Sequence, residues 1–222
     1  MTDKIKVNDF IEIDYTGRLI DGALFDTTLE KIAKDSGLSV DNRKISSQVI
    51  CVGEHQVPIG LDEDFIGKEV GASHTLKLSP EKAFGKRDIK KIKVVPVTTF
   101  KEHKLTPHVG LQVDMDGELG IVTQISGGRV LVNFNHPLSG KEVIYTYTIK
   151  RKVESSDEKI SAYLNQSMRL PKETFQVNLV EHKANVTLPF QLPPEFVSIM
   201  EKKLTNLTGL KEIKFEFKSK SS

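Results

Sequence analysis

With 222 residues, 38% of them hydrophobic and 28% charged, the chain has the composition of a globular protein long enough for two or three domains. A net charge of +2 supplies no overall field to hold nucleic acid or an anionic membrane, and neither the N-terminal MTDKIKVNDFIEIDY nor any later run has the apolar length of a signal peptide or a bilayer span. The single cysteine, Cys51, permits no internal disulfide; between Ile50 and Val52 it reads as a buried core thiol, and the expected location is the cytoplasm.

Ile11, Ile13 and Tyr15 alternate with Glu12 and Asp14, the period-two pattern of a strand with one buried face. Thr16-Gly17 reads as the end of that strand and Asp21-Gly22 as a tight turn. Residues 6–15 and 17–27 should therefore form a hairpin whose return strand carries Phe25 and Asp26 side by side. Leu29, Ile32 and Ala33 begin a helix that breaks at Ser36-Gly37; 37–47 follows as a polar loop, and 48–52 as a short buried strand ending at Gly53. In GEHQVPIGLDEDFIGKEVGA, Pro58 suits the first turn of a helix that places Val57, Leu61 and Phe65 on one face. Gly67 ends that helix, and Val70-Gly71 turns the chain into a strand at 73–78.

The stretch 14–28, DYTGRLIDGALFDTT, resembles the FKBP-type peptidyl-prolyl cis-trans isomerases, whose signature is Tyr-Thr-Gly, then Asp-Gly, then Phe-Asp. The block 53–78 resembles the family's second signature: a glycine, a short helix, a glycine turn and a strand. SPEKAFG (79–85) looks like the next element, an aromatic just before a glycine. A minimal member would soon close with its last strand, but here the chain runs on through 86–134.

That insertion opens basic (KRDIKKIK), a run read as a solvated hinge, and continues in alternating runs at 111–113, 119–125 and 129–134, divided by Asp116-Gly117 and Gly127-Gly128. These are hairpin signals, so a small β-rich domain is expected. NFNHPLSG (133–140) is similar to the re-entry segment of SlyD-like members, which carry a domain inserted in the flap; the last strand is then 142–151, with Val143, Tyr145, Tyr147 and Ile149 toward the core. The resemblance covers about the first two-thirds of the chain.

Beyond Val153, Ser155 and Glu158 are spaced as a capping box. Ile160, Tyr163, Leu164 and Met168 make a helical stripe; Phe175, Val177 and Leu179 read as one strand and Val186, Leu188 and Phe190 as the next. Pro193-Pro194 opens a helix with Phe196, Ile199, Met200, Leu204 and Leu207 on one face, ended by Gly209, and Ile213, Phe215 and Phe217 form a closing strand before a solvated KSKSS tail. This part reads as a separate domain with no recognised family; long archaeal-type members carry an extra C-terminal domain. The expected fold class is α+β: an FKBP-type antiparallel half-barrel sheet around a short helix (1–85 and 135–153), an inserted β-rich domain (86–134) and a C-terminal α+β domain (154–222).

The resemblance implies an isomerase of X-Pro bonds in unfolded or nascent proteins, needing no cofactor. It assigns the site to Tyr15, Phe25, Asp26, Val57, Pro58, Leu61, Phe84 and Tyr145, with Leu61 as the floor where many relatives have Trp and Leu138 closing the flap side. Tyr15 and Tyr145 would wall the proline ring, and Asp26 would orient the twisted amide at the rim. In isolation the aromatics read as plain sheet core and Asp26 as a turn-capping carboxylate; their joint occurrence in family order points to the pocket. Three positions depart from the pattern: Phe84 replaces a Tyr, Gln48 replaces an aromatic, and Pro58 has no N–H where relatives offer one to the peptide. A holdase that keeps the fold with little catalysis is the alternative, and a nucleic-acid binder resting on the basic run 86–93 the third reading.

In SlyD-like proteins the insert captures unfolded chain; here Ile121, Val122, Ile125, Val132 and Phe134 are the candidate peptide-binding side chains, the other reading being that they form the insert's own core. His103 and His108 make no metal set, so no metal is expected. Expected partners are unfolded or proline-containing polypeptides, with neither nucleic acid nor membrane. A homodimer through the C-terminal domain is also expected, because its strands carry more apolar side chains than one helix covers; docking of that domain on its own isomerase body is the alternative.

Overall fold

The computed structural model describes residues 4–38 and 45–217, so part of the polar loop and the KSKSS tail lie outside it. In chain order the strands and helices are β1 (Phe10–Leu19), β2 (Leu24–Thr27), α1 (Glu30–Asp35), β3 (Gln48–Cys51), α2 (Ile59–Asp64), β4 (Ser73–Leu78), β5 (Ile92–Pro96), α3 (Val97–Glu102), β6 (Gln112–Met115), β7 (Glu118–Ser126), β8 (Arg129–Asn133), β9 (Val143–Lys152), α4 (Ser156–Met168), β10 (Gln176–Val180), β11 (Lys183–Leu188), α5 (Pro194–Thr208) and β12 (Glu212–Phe217). They gather into two compact units, Met1–Leu78 with Val143–Ser222, and Ser79–Glu142.

The first unit is built on β1. It pairs antiparallel with β9 along nearly its whole length, while its other edge takes β3 at the start and β2 at the end; β4 extends the sheet beyond β9. Period-two alternation buries Ile11, Ile13 and Tyr15 on β1 and Val143, Tyr145, Tyr147 and Ile149 on β9; Leu61 of α2 and Phe65, just after it, are both fully buried, with Phe65 edge-on to Tyr147 at 4.9 Å. The fold is α+β, an antiparallel sheet around a short helix. Unlike the expected hairpin, β1 does not end at Thr16-Gly17: it runs on to Leu19, with a bulge between Gly17 and Arg18 against β2, and the reversal falls at Asp21-Gly22, where Gly22 takes φ 90°.

The C-terminal segment belongs to this same unit. β10, β11 and β12 form a three-stranded sheet, antiparallel then parallel, whose inward residues Val177, Ala184, Val186, Leu188, Ile213 and Phe215 are packed in one core with Ile160, Leu164, Met200 and Leu204 of α4 and α5. Phe10, Cys51 and Val153 enter that same core, so the stretch expected as a separate domain shares its interior with the five-stranded sheet, as in the docking alternative. The outward positions (Gln176, Asn178, Lys183, Asn185, Thr187, Glu212, Lys214) are polar apart from Val180, and two helices rather than one cover the apolar face. The stripe on α5 is rotated from the expected one: Val197, Met200, Leu204 and Leu207 pack inward, while Phe196 and Ile199 are 40% and 62% exposed. The capping box does not form either. Ser155 Oγ bonds Asp157, and Glu158 is drawn off by Arg151, which also bonds Glu12.

The second unit holds a four-stranded sheet ordered β5-β8-β7-β6, with the two expected hairpins at Asp116-Gly117 and Gly127-Gly128. Its core is Val95, Phe100, Val113, Val122, Val130, Val132 and Phe134. β5 has no alternating signal in the sequence, because the basic run overlaps a strand with only Val95 buried; Lys93 sits over the Phe134 ring at 4.7 Å and pairs with Glu118.

Candidate active site

On β1 and β9 the side chains of Tyr15 and Tyr145 point to the same face, and the return strand β2 brings Phe25 and Asp26 against them. The Tyr15 and Tyr145 rings lie 5.8 Å apart and tilted, and Phe25 meets Tyr145 edge-on at 5.7 Å. Gly17 makes this approach possible: a Cβ there would stand 2.6 Å from Phe25 Cζ and 3.1 Å from Tyr145 Cε1, so glycine is needed for space at this position. The Tyr15 hydroxyl donates to Asp26 Oδ2 at 2.8 Å. Tyr15 and Tyr145 are 7% and 2% exposed, whereas Phe25 and Asp26 are half-buried, which makes a dry wall with a carboxylate at its edge.

The polar groups behind the wall are tied down. Tyr15 N–H donates to Thr28 Oγ1 at 2.8 Å, and Thr27 Oγ1 donates to Tyr15 O at 3.0 Å. Burial, first, and then the charge of Asp26 and the hydrogen bond to it hold the Tyr15 phenol well above its ordinary range, and the nearby Gln48 amide pulls slightly the other way. Burial and the Asp26 charge raise Tyr145 as well. Both hydroxyls therefore stay neutral donors.

The loop 53–58 leads into α2. Pro58 caps the helix with φ −50° and accepts at its carbonyl from Leu61 N and Asp62 N. Val57, expected on the helix face, lies before the helix and is half-buried, while Leu61 is fully buried below. A carboxylate without a sequence signal holds this loop: Asp62, 2% exposed, accepts from Gly53 N at 3.0 and 3.1 Å and from His55 N at 3.0 Å. The motif contains Gly17 but not the reason for it, the approach of Phe25 and Tyr145, and it gives no sign of Asp62; both depend on which segments meet.

The remaining assigned residues belong to the second unit. Phe84 is half-buried and stacks on His136 at 4.8 Å, and its carbonyl accepts from Ser139 Oγ at 3.0 Å; Leu138 N–H donates to His136 Nδ1 at 3.2 Å. Of the peptide-binding candidates, Val122, Val132 and Phe134 are core residues of the insert, because the inward positions of β7 and β8 fall on them; as surface contacts they are corrected. Ile121 is half-buried and Ile125 is 37% exposed beyond a bulge between Val122 and Gln124. Among the described residues, no group of three or more His, Cys, Asp or Glu side chains is placed to hold a metal ion, and no helix is long and apolar enough to cross a membrane.

Residues 2–101 match the family described as "FKBP-type peptidyl-prolyl cis-trans isomerase", and residues 93–138 the one described as "FKBP26, IF domain". The chain is 30% identical over 150 residues to the short-type peptidyl-prolyl cis-trans isomerase of Methanocaldococcus jannaschii, a match spanning 68% of this chain and 95% of that protein. It is 26% identical over 162 residues to the FKBP-type isomerase SlyD of Haemophilus influenzae, covering 71% and 77% of the two chains. With the FKBP-type 16 kDa isomerase of Escherichia coli K12 it shares 26% over 148 residues, 64% of this chain and 90% of the other.

Proposed function

The chain belongs to the FKBP-type peptidyl-prolyl cis-trans isomerases and is such an isomerase, and on that premise we propose that Tyr15, Phe25, Asp26, Val57, Pro58, Leu61 and Tyr145 form its site for X-Pro bonds of unfolded polypeptides, with the insert as a second client-binding module. The observation that carries this reading is the dry aromatic wall of Tyr15, Phe25 and Tyr145 with the Asp26 carboxylate bonded to it at 2.8 Å.

Rotation about the prolyl amide must break C–N double-bond character, a barrier of about 18–20 kcal/mol, so the uncatalysed change takes tens to hundreds of seconds. The planar amide is the more charge-separated form and is favoured by water. A proline ring seated against Tyr15, Phe25 and Tyr145, over Leu61, leaves its amide in a low-dielectric site that favours the twisted form. Each ~1.4 kcal/mol of that preference is about tenfold in rate. Asp26, tethered by the Tyr15 hydroxyl, presents a fixed charge to the amide edge and so selects its orientation. No nucleophile is required, and neither phenol has to ionise.

In the insert, a cavity of about 310 Å³ lined by Val95, Phe100, Leu105, Val113 and Met115 supports side-chain capture, and the end strands β5 and β6 support strand addition by an extended client. Proline-limited refolding of an unfolded protein tests the whole reading. The full-length chain should accelerate the slow phase; a higher yield with an unchanged slow phase would make it a holdase, the reading that Pro58 favours because it has no N–H to offer a peptide.

A further inference from the structure

We infer that helices α4 and α5 are positioning elements of the isomerase site: Tyr163, Ser167 and Lys203 grip Glu54 and Gln56 and hold the loop 53–58 in the shape that receives an X-Pro segment. The inference rests on the pocket assignment above and adds to it residues from the part of the chain outside the family resemblance.

The loop needs an external hold. It carries no strand or helix of its own, and it includes a non-glycine residue in the left-handed region, His55 at φ 52°, a conformation that costs free energy unless its surroundings impose it. From within its own sheet and helix, it is held by Asp62 and by Cys51 N–H, which donates to Gln56 Oε1 at 2.8 Å. The rest of the hold comes from the C-terminal helices. Tyr163 OH donates to Glu54 Oε2 at 3.0 Å, and Lys203 Nζ lies 2.5 Å from the same oxygen. Gln56 Nε2 donates to Ser167 Oγ at 3.1 Å.

The Glu54 pair differs from an ordinary surface ion pair. The Glu54 side chain is 16% exposed and Tyr163 4%, while Lys203, 41% exposed, lies over the Tyr163 ring at 5.7 Å, so a mostly buried carboxylate receives one buried donor and one that reaches in from solvent. Helix α4 also reaches the strand beside the pocket wall: Gln166 Nε2 donates to Gln48 Oε1 at 3.5 Å, and Gln48 on β3 lies opposite Ile13 of β1.

A loop that is competent only part of the time lowers apparent affinity by that fraction and leaves the bound complex unchanged. The signature of the clamp is therefore a rise in KM at constant kcat. The test uses the full-length chain carrying Tyr163→Phe, Ser167→Ala and Lys203→Met together, assayed on a short X-Pro peptide well below its melting temperature. KM should rise about tenfold, as for a loop competent roughly a tenth of the time, with kcat essentially unchanged. Lys203→Arg alone, which keeps the charge, should stay near the parent. Glu158→Gln, which breaks the contact of α4 to Arg151 without touching the loop, should lower the melting temperature and leave KM unchanged. A folded triple variant with the parent's KM overturns the clamp. If the triple variant does not fold, Tyr163→Phe and Ser167→Ala singly decide, and parental KM in both overturns it. Asp26→Ala measured alongside separates the two levels: slowed Asp26→Ala with parental clamp variants removes the clamp alone, and a folded, unslowed Asp26→Ala removes the pocket assignment and the clamp with it.

Discussion

The hydroxyl of Tyr15 donates to Asp26 Oδ2 at 2.8 Å, which joins a wall of the proposed pocket and its rim carboxylate into one unit. Because Tyr15 is buried and faces an anion, ionising it would be penalised twice. Tyr145 and Tyr147 are raised for the same kind of reason, burial first and then Asp26 or Asp64, and burial raises Tyr163 too.

These four are all the tyrosines of the chain. A phenol whose folded pKa lies above its unfolded value of about 10 contributes stability that is fully present below pH 10 and is lost as pH climbs toward the folded value. Alkaline titration followed by phenolate absorbance, with no tryptophan to interfere, should show no ionisation before the chain unfolds, and unfolding and ionisation should coincide. A tyrosine that titrates near pH 10 in the folded protein would contradict the buried pocket geometry.

Gly17→Ala should damage the wall directly. The new methyl would meet Phe25 at 2.6 Å and Tyr145 at 3.1 Å, so both rings must move. The expected cost is about 1–3 kcal/mol in urea unfolding, as for other overpacked sites, with reduced turnover of a proline peptide. Parental stability and turnover would show that the rings do not close over Gly17.

Replacing 86–134 with a short turn should spare turnover of a small peptide and cripple turnover of an unfolded protein. A second site that holds the client makes proline capture intramolecular, and that gain vanishes with the insert. Equal slowing of both substrates would mean that the insert serves the pocket itself.

Truncation after Val153 should destabilise what remains. Phe10, Cys51 and Val153 are at most 2% exposed because α4, α5 and the C-terminal sheet cover them, and re-exposing a fully buried Phe costs about 1.5–3 kcal/mol. An unchanged urea midpoint would show that the two parts do not share a core. The homodimer expectation keeps only part of its apolar premise, since α4 and α5 cover the sheet's inner face while Leu179 and Phe190 remain 41% and 40% exposed, and it rests also on the end strand β12. Light scattering at micromolar concentration tests it: a dimer that becomes monomeric after this truncation supports pairing there, and a full-length monomer removes it.

The placement of the candidate site's side chains was legible in residues 14–28 and 142–151, where period-two alternation places Tyr15 and Tyr145 on one face and Asp21-Gly22 returns Phe25 and Asp26 beside them; that they form a pocket rather than plain sheet core came from the family resemblance. What stayed hidden depends on partners distant in sequence. Gly17 looks like a strand end until β9 brings Tyr145 against it, and Asp62 looks like a solvated helix acid until the loop 53–58 folds over it. On α5, the positions 196/199 and 197/200/204 are both apolar at helical spacing, and only the sheet decides which stripe is buried. The capping box failed because Arg151 competes for Glu158. The shared C-terminal core was illegible for the same reason: Phe10 reads as part of the isomerase sheet, and nothing in its neighbours names α4 as the cover.

The most direct measurement of the central claim is the turnover of a short X-Pro peptide by full-length Asp26→Ala and Tyr145→Ala, each first shown to be folded by circular dichroism and a cooperative melt. Opening the wall to water or removing the rim charge should cut kcat/KM by about tenfold or more, equivalent to about 1.4 kcal/mol of lost preference for the twisted amide. Parental kcat/KM in both folded variants would contradict the assignment of the Tyr15–Asp26–Tyr145 wall as the place where the prolyl bond turns.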